Sequence, residues 1–180
     1  MAIQQIEASN NVSLSRKSIF NRLVSAFSNF LLHHWATIIT TVLGLFVGTA
    51  FSIPFLSYFG LDSIAKPLFF SLHAVCAQIP SHSFYILGHQ LGLCARNFSI
   101  YTSMFLTSLV FTLSKKRLPG IPWWIWVLLM IPMALDGTTQ LFGLRESTWE
   151  LRVITGTLFG LGNAWFVLPL MHKTIIETAQ

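Results

Sequence analysis

Residues 136–152, DGTTQLFGLRESTWELR, lie between two runs made almost wholly of apolar side chains and hold Asp136, Glu146 and Glu150, half of the chain's six acidic residues. Whether this stretch is a soluble loop or the junction of two membrane helices decides the fold. Upstream stands PWWIWVLLMIPMAL, Pro122 to Leu135, and downstream VITGTLFGLGNAWFVLPLM, residues 153–171. The chain as a whole is 53% hydrophobic and 9% charged, against roughly 45–50% and about 25% in ordinary soluble domains. Sixteen Phe and six Trp suit a surface that faces lipid. The junction reading follows.

A helix needs about 20 apolar residues to cross the hydrocarbon core. Four segments approach that length, at about 35–59, 97–114, 120–140 and 153–171. Pro54 falls late in the first and kinks rather than ends it. The second stops at Lys115, Lys116 and Arg117, and the third opens on a Trp cluster of the kind found at membrane interfaces. Residues 18–32 carry Ile19, Phe20, Leu23, Val24, Phe27, Phe30 and Leu31 on one helical stripe, the pattern of an interfacial helix. His33 and His34 flank the first span as interfacial anchors. Residues 68–79, LFFSLHAVCAQI, are too short to cross and end at Pro80, which predicts a re-entrant or interfacial helix. SHSFYILGHQLGLC, 81–94, has Gly88 and Gly92 spaced for the turns of a short hairpin.

The expected fold is therefore all-α and integral to the membrane. It has four transmembrane helices, an N-terminal interfacial helix and a short re-entrant or interfacial helix on the outer side. One membrane domain, 35–171, stands between tails at 1–34 and 172–180. Arg16, Lys17, Arg22, Lys115, Lys116, Arg117 and Lys173 fall on one side of it, and Lys66, Arg96, Arg145 and Arg152 on the other. The excess of Lys and Arg marks the cytoplasmic face, so both termini are expected there, with the first span as an uncleaved anchor. The net charge of +5 reflects topology rather than a nucleic-acid surface, because the basic residues form no groove or stripe.

Three constellations carry possible chemistry. In the first, Ser147 and Glu150 fit an S-x-x-E capping box, which predicts a helix starting near Ser147. Asp136 lies roughly one turn, about 6 Å, inside the third span, where a carboxylate needs a partner, unless the helix ends early at Gly137 and leaves Asp136 solvated in the interface. Gln140 shares its helix face, and Arg96, Arg145 and Arg152 are on the same side of the membrane. These five residues form a candidate polar cluster with no assigned catalytic member. In the second, Cys76 and Cys94 would close a loop of about 17 residues, a disulfide typically worth about 3 kcal/mol. With His73, His82 and His89 they are also weak metal candidates, since no CxxC or HxxxH pair is present. Plain buried thiols are the third possibility for them. Finally, Gly44-LFV-Gly48 and Gly156-TLF-Gly160 are small-xxx-small pairs that let helices approach closely, within the chain or against a partner subunit. No cofactor is implied: the chain has no nucleotide loop, nucleophile elbow or haem-attachment motif.

CAQIPSHSF (76–84), LGLCAR (91–96), IY (100–101), the 136–152 block and TG (155–156) resemble the prokaryotic membrane proteins grouped as domain of unknown function 2085. The resemblance spans about residues 66–170. That family reads D-G-x-x-Q, then G-x-R-x-S, then R and T-G. Asp136, Gly137, Gln140, Gly143, Arg145, Ser147, Arg152, Thr155 and Gly156 fall on those positions. Ala77 stands where the pattern has His, Asn97 where it has a second Cys, and Ser99 and Ser103 where it has glycines. The resemblance implies the family fold and an outer polar cluster, brings no established activity, and lowers the expectation of metal chemistry.

Two functional classes follow. The first is a non-catalytic subunit or assembly factor of a larger membrane complex, whose partners would be the bilayer and other membrane subunits. The second is an outward-facing enzyme or binder of an anionic ligand or lipid headgroup, working through the Asp/Arg cluster. A transporter is the weakest reading, since four spans without internal repeat leave little room for alternating access.

Overall fold

A computed structural model describes the backbone of residues 2–178 and the side chains of residues 21, 22 and 24–177. In chain order it has α1 (Ala2–Tyr58), α2 (Asp62–Leu72), a single 3₁₀ turn (Pro80–His82), β1 (Ser83–Ile86), β2 (His89–Cys94), α3 (Ala95–Leu113), α4 (Trp123–Leu141) and α5 (Trp149–Thr178). The protein is mostly helical with one small two-stranded sheet. By contacts the chain divides into residues 1–35 and 36–180.

Three helical stretches are long and apolar enough to cross a membrane: Val24–Tyr58, Trp123–Leu141 and Trp149–Glu177. α3, one of the four expected spans, is not among them. The cause is compositional: Ser99, Thr102, Ser103, Thr107, Ser108 and Thr112, with Arg96 and Asn97, dilute its apolar content. Those hydroxyls turn back on the helix itself. Ser99 Oγ donates to the Ala95 carbonyl at 2.8 Å, and Thr107 Oγ1 to the Ser103 carbonyl at 2.8 Å. Such residues are small and internally satisfied, which suits a helix packed on its neighbours.

Other expectations also shift. Residues 18–32 form no separate interfacial helix but part of α1, and the apolar window begins already at Val24. In this first unit Phe30 meets His34, and His34 meets His33, at ring distances of 4.9 and 4.8 Å. The side chains of Ile19, Phe20 and Leu23 from the expected stripe, and those of Arg16 and Lys17, lie outside the described residues. The segment 172–178, read as tail, continues α5; Gln180 and residue 179 lie outside the described residues. The helix expected within 68–79 begins earlier, at Asp62, and ends at Leu72.

Within residues 36–180, α3 and α5 form the main helix pair, and α4 packs on α5. The α3–α5 contact is close because α5 offers glycines. A Cβ on Gly156 would lie 2.7 Å from the Arg96 carbonyl oxygen, and one on Gly160 would collide with Ser103 Oγ and the Ile100 carbonyl. This small-residue pair is thus used inside the chain. α4 is held by Asn163 of α5, which accepts from Trp126 Nε1 at 3.3 Å and donates to its own Phe159 carbonyl at 2.8 Å. On the other side of α3, a Cβ on Gly44 of α1 would lie 2.8 Å from the Phe105 ring, and Thr40 bonds Thr112 at 3.0 Å.

The sheet qualifies the all-α expectation and stands within residues 81–94, where a short hairpin is expected. β1 and β2 pair antiparallel, with Ile86 opposite His89. Leu87 and Gly88 between them have φ of 52° and 79°, the two positive angles of a type I′ turn, whose twist matches that of the strands. Gly92 makes no turn. It sits in β2, where a Cβ would lie 2.7 Å from Ile53 Cδ1 and 3.0 Å from the Ala50 Cα, so only glycine lets the strand lie on α1. Ala50, Ile53, Leu72, Cys76 and Leu93 form the buried cluster beneath this cap.

A candidate anion site beneath the hairpin cap

Asp136 lies on the last turns of α4 and is 1% exposed. A carboxylate removed from water must be paired and hydrogen-bonded to persist. Three groups from two chain segments supply this. Arg96 Nη2, near the start of α3, bonds Asp136 Oδ2. Arg145 Nη2, in the α4–α5 connection, bonds Oδ1 at 2.9 Å. Ser147 Oγ donates to Oδ2 at 2.9 Å. Arg96 Nη2 also donates to Gln140 Oε1 at 3.0 Å, and Arg145 Nε to Thr139 Oγ1 at 3.2 Å. Gln140 and Thr139 occupy the same end of α4 as Asp136, so one helix end presents carboxylate, amide and hydroxyl to two guanidinium groups.

Ser147 therefore does not cap α5. The helix begins at Trp149, and the residue before it, Thr148, accepts from the Leu151 backbone N–H through Oγ1 at 3.4 Å. This corrects the capping-box reading and moves Ser147, 6% exposed, from a local to a tertiary role.

Arg152 differs from the other two arginines. It is 4% exposed, and its Nε is buried without an acceptor. Arg96 Nε is in the same condition. Arg152 feels the charges of Arg96, Asp136, Cys94 and the exposed Glu146. His82 lies at the end of the 3₁₀ turn. Burial holds its pKa below the usual value, and the charges of Arg152 and Arg96 lower it further, against a raising effect of Glu146. β1 closes over this end of α5 through Phe84, whose ring meets Trp149 edge-on at 6.2 Å.

The remaining sequence candidates lie elsewhere. His73 Nδ1 bonds Gln78 Oε1 at 3.1 Å. His89 lines a separate cavity of about 590 Å³ with Asp62, Lys66 and Gln90. Cys76 and Cys94 come together, sulfur to sulfur, at 2.8 Å. Among the described residues no three His, Cys, Asp or Glu side chains converge as metal ligands. The thiol hydrogen bond from Cys94 pulls Cys76 down to about 5, helped by the backbone N–H groups of Cys94 and Gln78 and by the Asn97 side chain, against the effect of burial. The same contact and burial push Cys94 up.

Gln78 was not singled out from the sequence, although it organises the cap. It is 6% exposed with φ of 49°. Its Nε2 donates to the carbonyls of Phe69 at 2.7 Å and Gly92 at 2.8 Å, and its own carbonyl accepts from Gln90 Nε2 at 2.7 Å. The one signal for it was its place in the first block of the family resemblance, CAQIPSHSF.

The family model described as a predicted membrane protein (DUF2085) matches residues 76–166. This chain belongs to that family. The match starts at Cys76 and takes in the hairpin, all of α3 and α4, and every residue that bonds Asp136. An uncharacterized protein of Methanocaldococcus jannaschii is 37% identical over 74% of this chain and 90% of its own length. An uncharacterized protein of Methanothermobacter thermautotrophicus is 35% identical over 54% of this chain and 88% of its own length. No solved structure matches the chain.

Two outcomes test this geometry. Asp is as good an N-cap as Ser, so Ser147→Asp would be harmless if Ser147 capped α5. Against Asp136 it sets two carboxylates face to face, and we expect a loss of about 3 kcal/mol or more, with Ser147→Thr close to wild type, read as melting temperature in detergent. For His82, the folded pKa lies below the ordinary 6.5. As pH falls below about 6.5, the unfolded chain takes up a proton that folded His82 resists, so stability falls over that window. His82→Gln should flatten this part of the stability–pH curve.

Proposed function

We propose that this protein is a four-helix membrane bundle, with the hairpin end facing outward, that binds an oxyanion group between the cap and the arginine cluster. α3 serves as the fourth crossing helix, shielded by α1 and α5, which lets it carry more hydroxyls than a lipid-facing helix tolerates. The distribution of Lys and Arg supports cytoplasmic termini. The site then opens on the outer side.

One observation carries the binding reading: Arg152 is 4% exposed and its Nε is buried without an acceptor. Taking an arginine out of water without a counter-ion costs several kcal/mol. Asp136 does not meet that need, since its oxygens are already engaged by Arg96, Arg145 and Ser147. Three arginines against one buried carboxylate leave the cluster cationic. An incoming phosphate or carboxylate group would give Arg152, and the open Nε of Arg96, their missing acceptors. A planar guanidinium fork suits the two-oxygen edge of either anion. His82, held neutral at pH 7 by its surroundings, adds a hydrogen-bond donor without further charge.

The shared chemistry is an oxyanion, free or carried on a lipid headgroup. Purified protein in neutral detergent should bind inorganic phosphate, or protein in nanodiscs should retain phosphatidylglycerol over phosphatidylcholine. The first result identifies a soluble anion and the second a headgroup. In either case Arg152→Gln should weaken binding about tenfold or more, the effect of one lost charged hydrogen-bonding group. Binding of neither probe, or equal binding by Arg152→Gln, would overturn the reading.

A further inference from the structure

Cys76 and Cys94 are separated by an entire hairpin, yet their sulfur atoms lie 2.8 Å apart. The backbone is built to hold them there. Gln78 fastens the segment after Cys76 to Phe69 and to Gly92 of β2. β2 then delivers Cys94 opposite Ser83, immediately before α3. The Cys76 sulfur accepts the Cys94 backbone N–H at 3.3 Å and the Gln78 N–H at 3.5 Å. Two amide donors and a thiol aimed at one sulfur form a pocket for a thiolate. A disulfide bond measures about 2.05 Å, so closing it here asks the sulfurs to move by less than about 1 Å. Cys76 is 4% exposed, whereas Cys94 is partly open.

We propose that Cys76 and Cys94 form a reversible dithiol–disulfide couple that exchanges with a small-molecule disulfide reaching the hairpin end of the protein. The pair shares one proton between two sulfurs. The Cys76 thiolate draws the proton from the more open Cys94, whose Sγ attacks one sulfur of the incoming disulfide, RSSR. A Cys94–SR bond forms, the RS–SR bond breaks, and the first RS⁻ leaves. Cys76 then loses its proton to solvent, its thiolate stabilised by the two backbone N–H groups. It attacks Cys94 Sγ, forms the Cys76–Cys94 bond and expels the second RS⁻. From this singly protonated pair the protein gives up two electrons and one proton; with that proton and one from solvent, the two RS⁻ become two RSH. An external dithiol reverses the sequence. Oxidation ties the end of the α2 segment to the residue that opens α3, two positions before Arg96. The inference rests on sulfur geometry and stands or falls independently of anion binding.

Full-length protein in detergent, reduced with dithiothreitol and freed of it, is equilibrated against a series of glutathione and glutathione disulfide mixtures at pH 7.5. It is then denatured, alkylated with N-ethylmaleimide and weighed by intact-mass spectrometry. The two cysteines should pass together from both alkylated to neither alkylated, without a stable glutathione adduct, and return fully on adding dithiothreitol. Cys76→Ser should instead trap the mixed disulfide of Cys94 with glutathione, which checks the order of attack. Wild-type thiols that stay alkylatable across the series, or that accumulate glutathione adducts, would overturn the proposal. So would oxidation that dithiothreitol does not reverse.

Discussion

A carboxylate that is 1% exposed near the end of an apolar helix is the constraint on which the upper half of this structure depends. Asp136 brings to one point the start of α3, the end of α4 and the connection into α5. None of these would otherwise have reason to meet so closely. Its hydrogen-bonding capacity is filled by Arg96, Arg145 and Ser147, as a buried ion requires when desolvation opposes pairing. The glycines of α5 make the arrangement possible. Gly156 lets α5 lie against the Arg96 carbonyl, bringing Arg152, one turn earlier on α5, into the space where Arg96 meets Asp136.

The hairpin cap is the second organised unit, and its logic differs. It has few charges and depends on satisfied backbone. Gln78, with positive φ, spends its amide on carbonyls that an irregular chain near a membrane would leave unpaired, and Gly92 removes the side chain that would hold the strand away from α1. His82 and Phe84, at the edge of this cap, face the arginine cluster and α5. Cap and cluster thus share a boundary, with Arg152 as its unsatisfied member. The use of Gly156 and Gly160 within the chain also removes one of the grounds for expecting a partner subunit there.

The sequence was most legible where one strong physical rule operates alone. Long apolar runs set α4 and α5, and the high cost of an intramembrane carboxylate marks Asp136 in the sequence alone. Legibility failed where two rules compete. Ser147 satisfies a local capping pattern, but a buried carboxylate outbids a helix N-terminus for its hydroxyl, and no sequence window contains that comparison. Gly92 reads as a turn residue, although its cause is a helix more than thirty residues upstream. α3 reads as a simple span, while its hydroxyls and Arg96 give it the composition of a packed helix. Gln78 has no chemistry of its own to advertise; its role exists only once Phe69 and Gly92 are neighbours.

The account stands most directly on the energetic coupling of Arg96 to Asp136. A double-mutant cycle in detergent, comparing Arg96→Leu, Asp136→Leu and the double variant by equilibrium unfolding, measures it. Each single change strands a buried charge and should cost about 3–5 kcal/mol. The double variant should be much less damaged than the sum of the two, with a coupling of about 2 kcal/mol or more. Additive losses, with coupling near zero, would mean that Asp136 is not what holds this end of the bundle together.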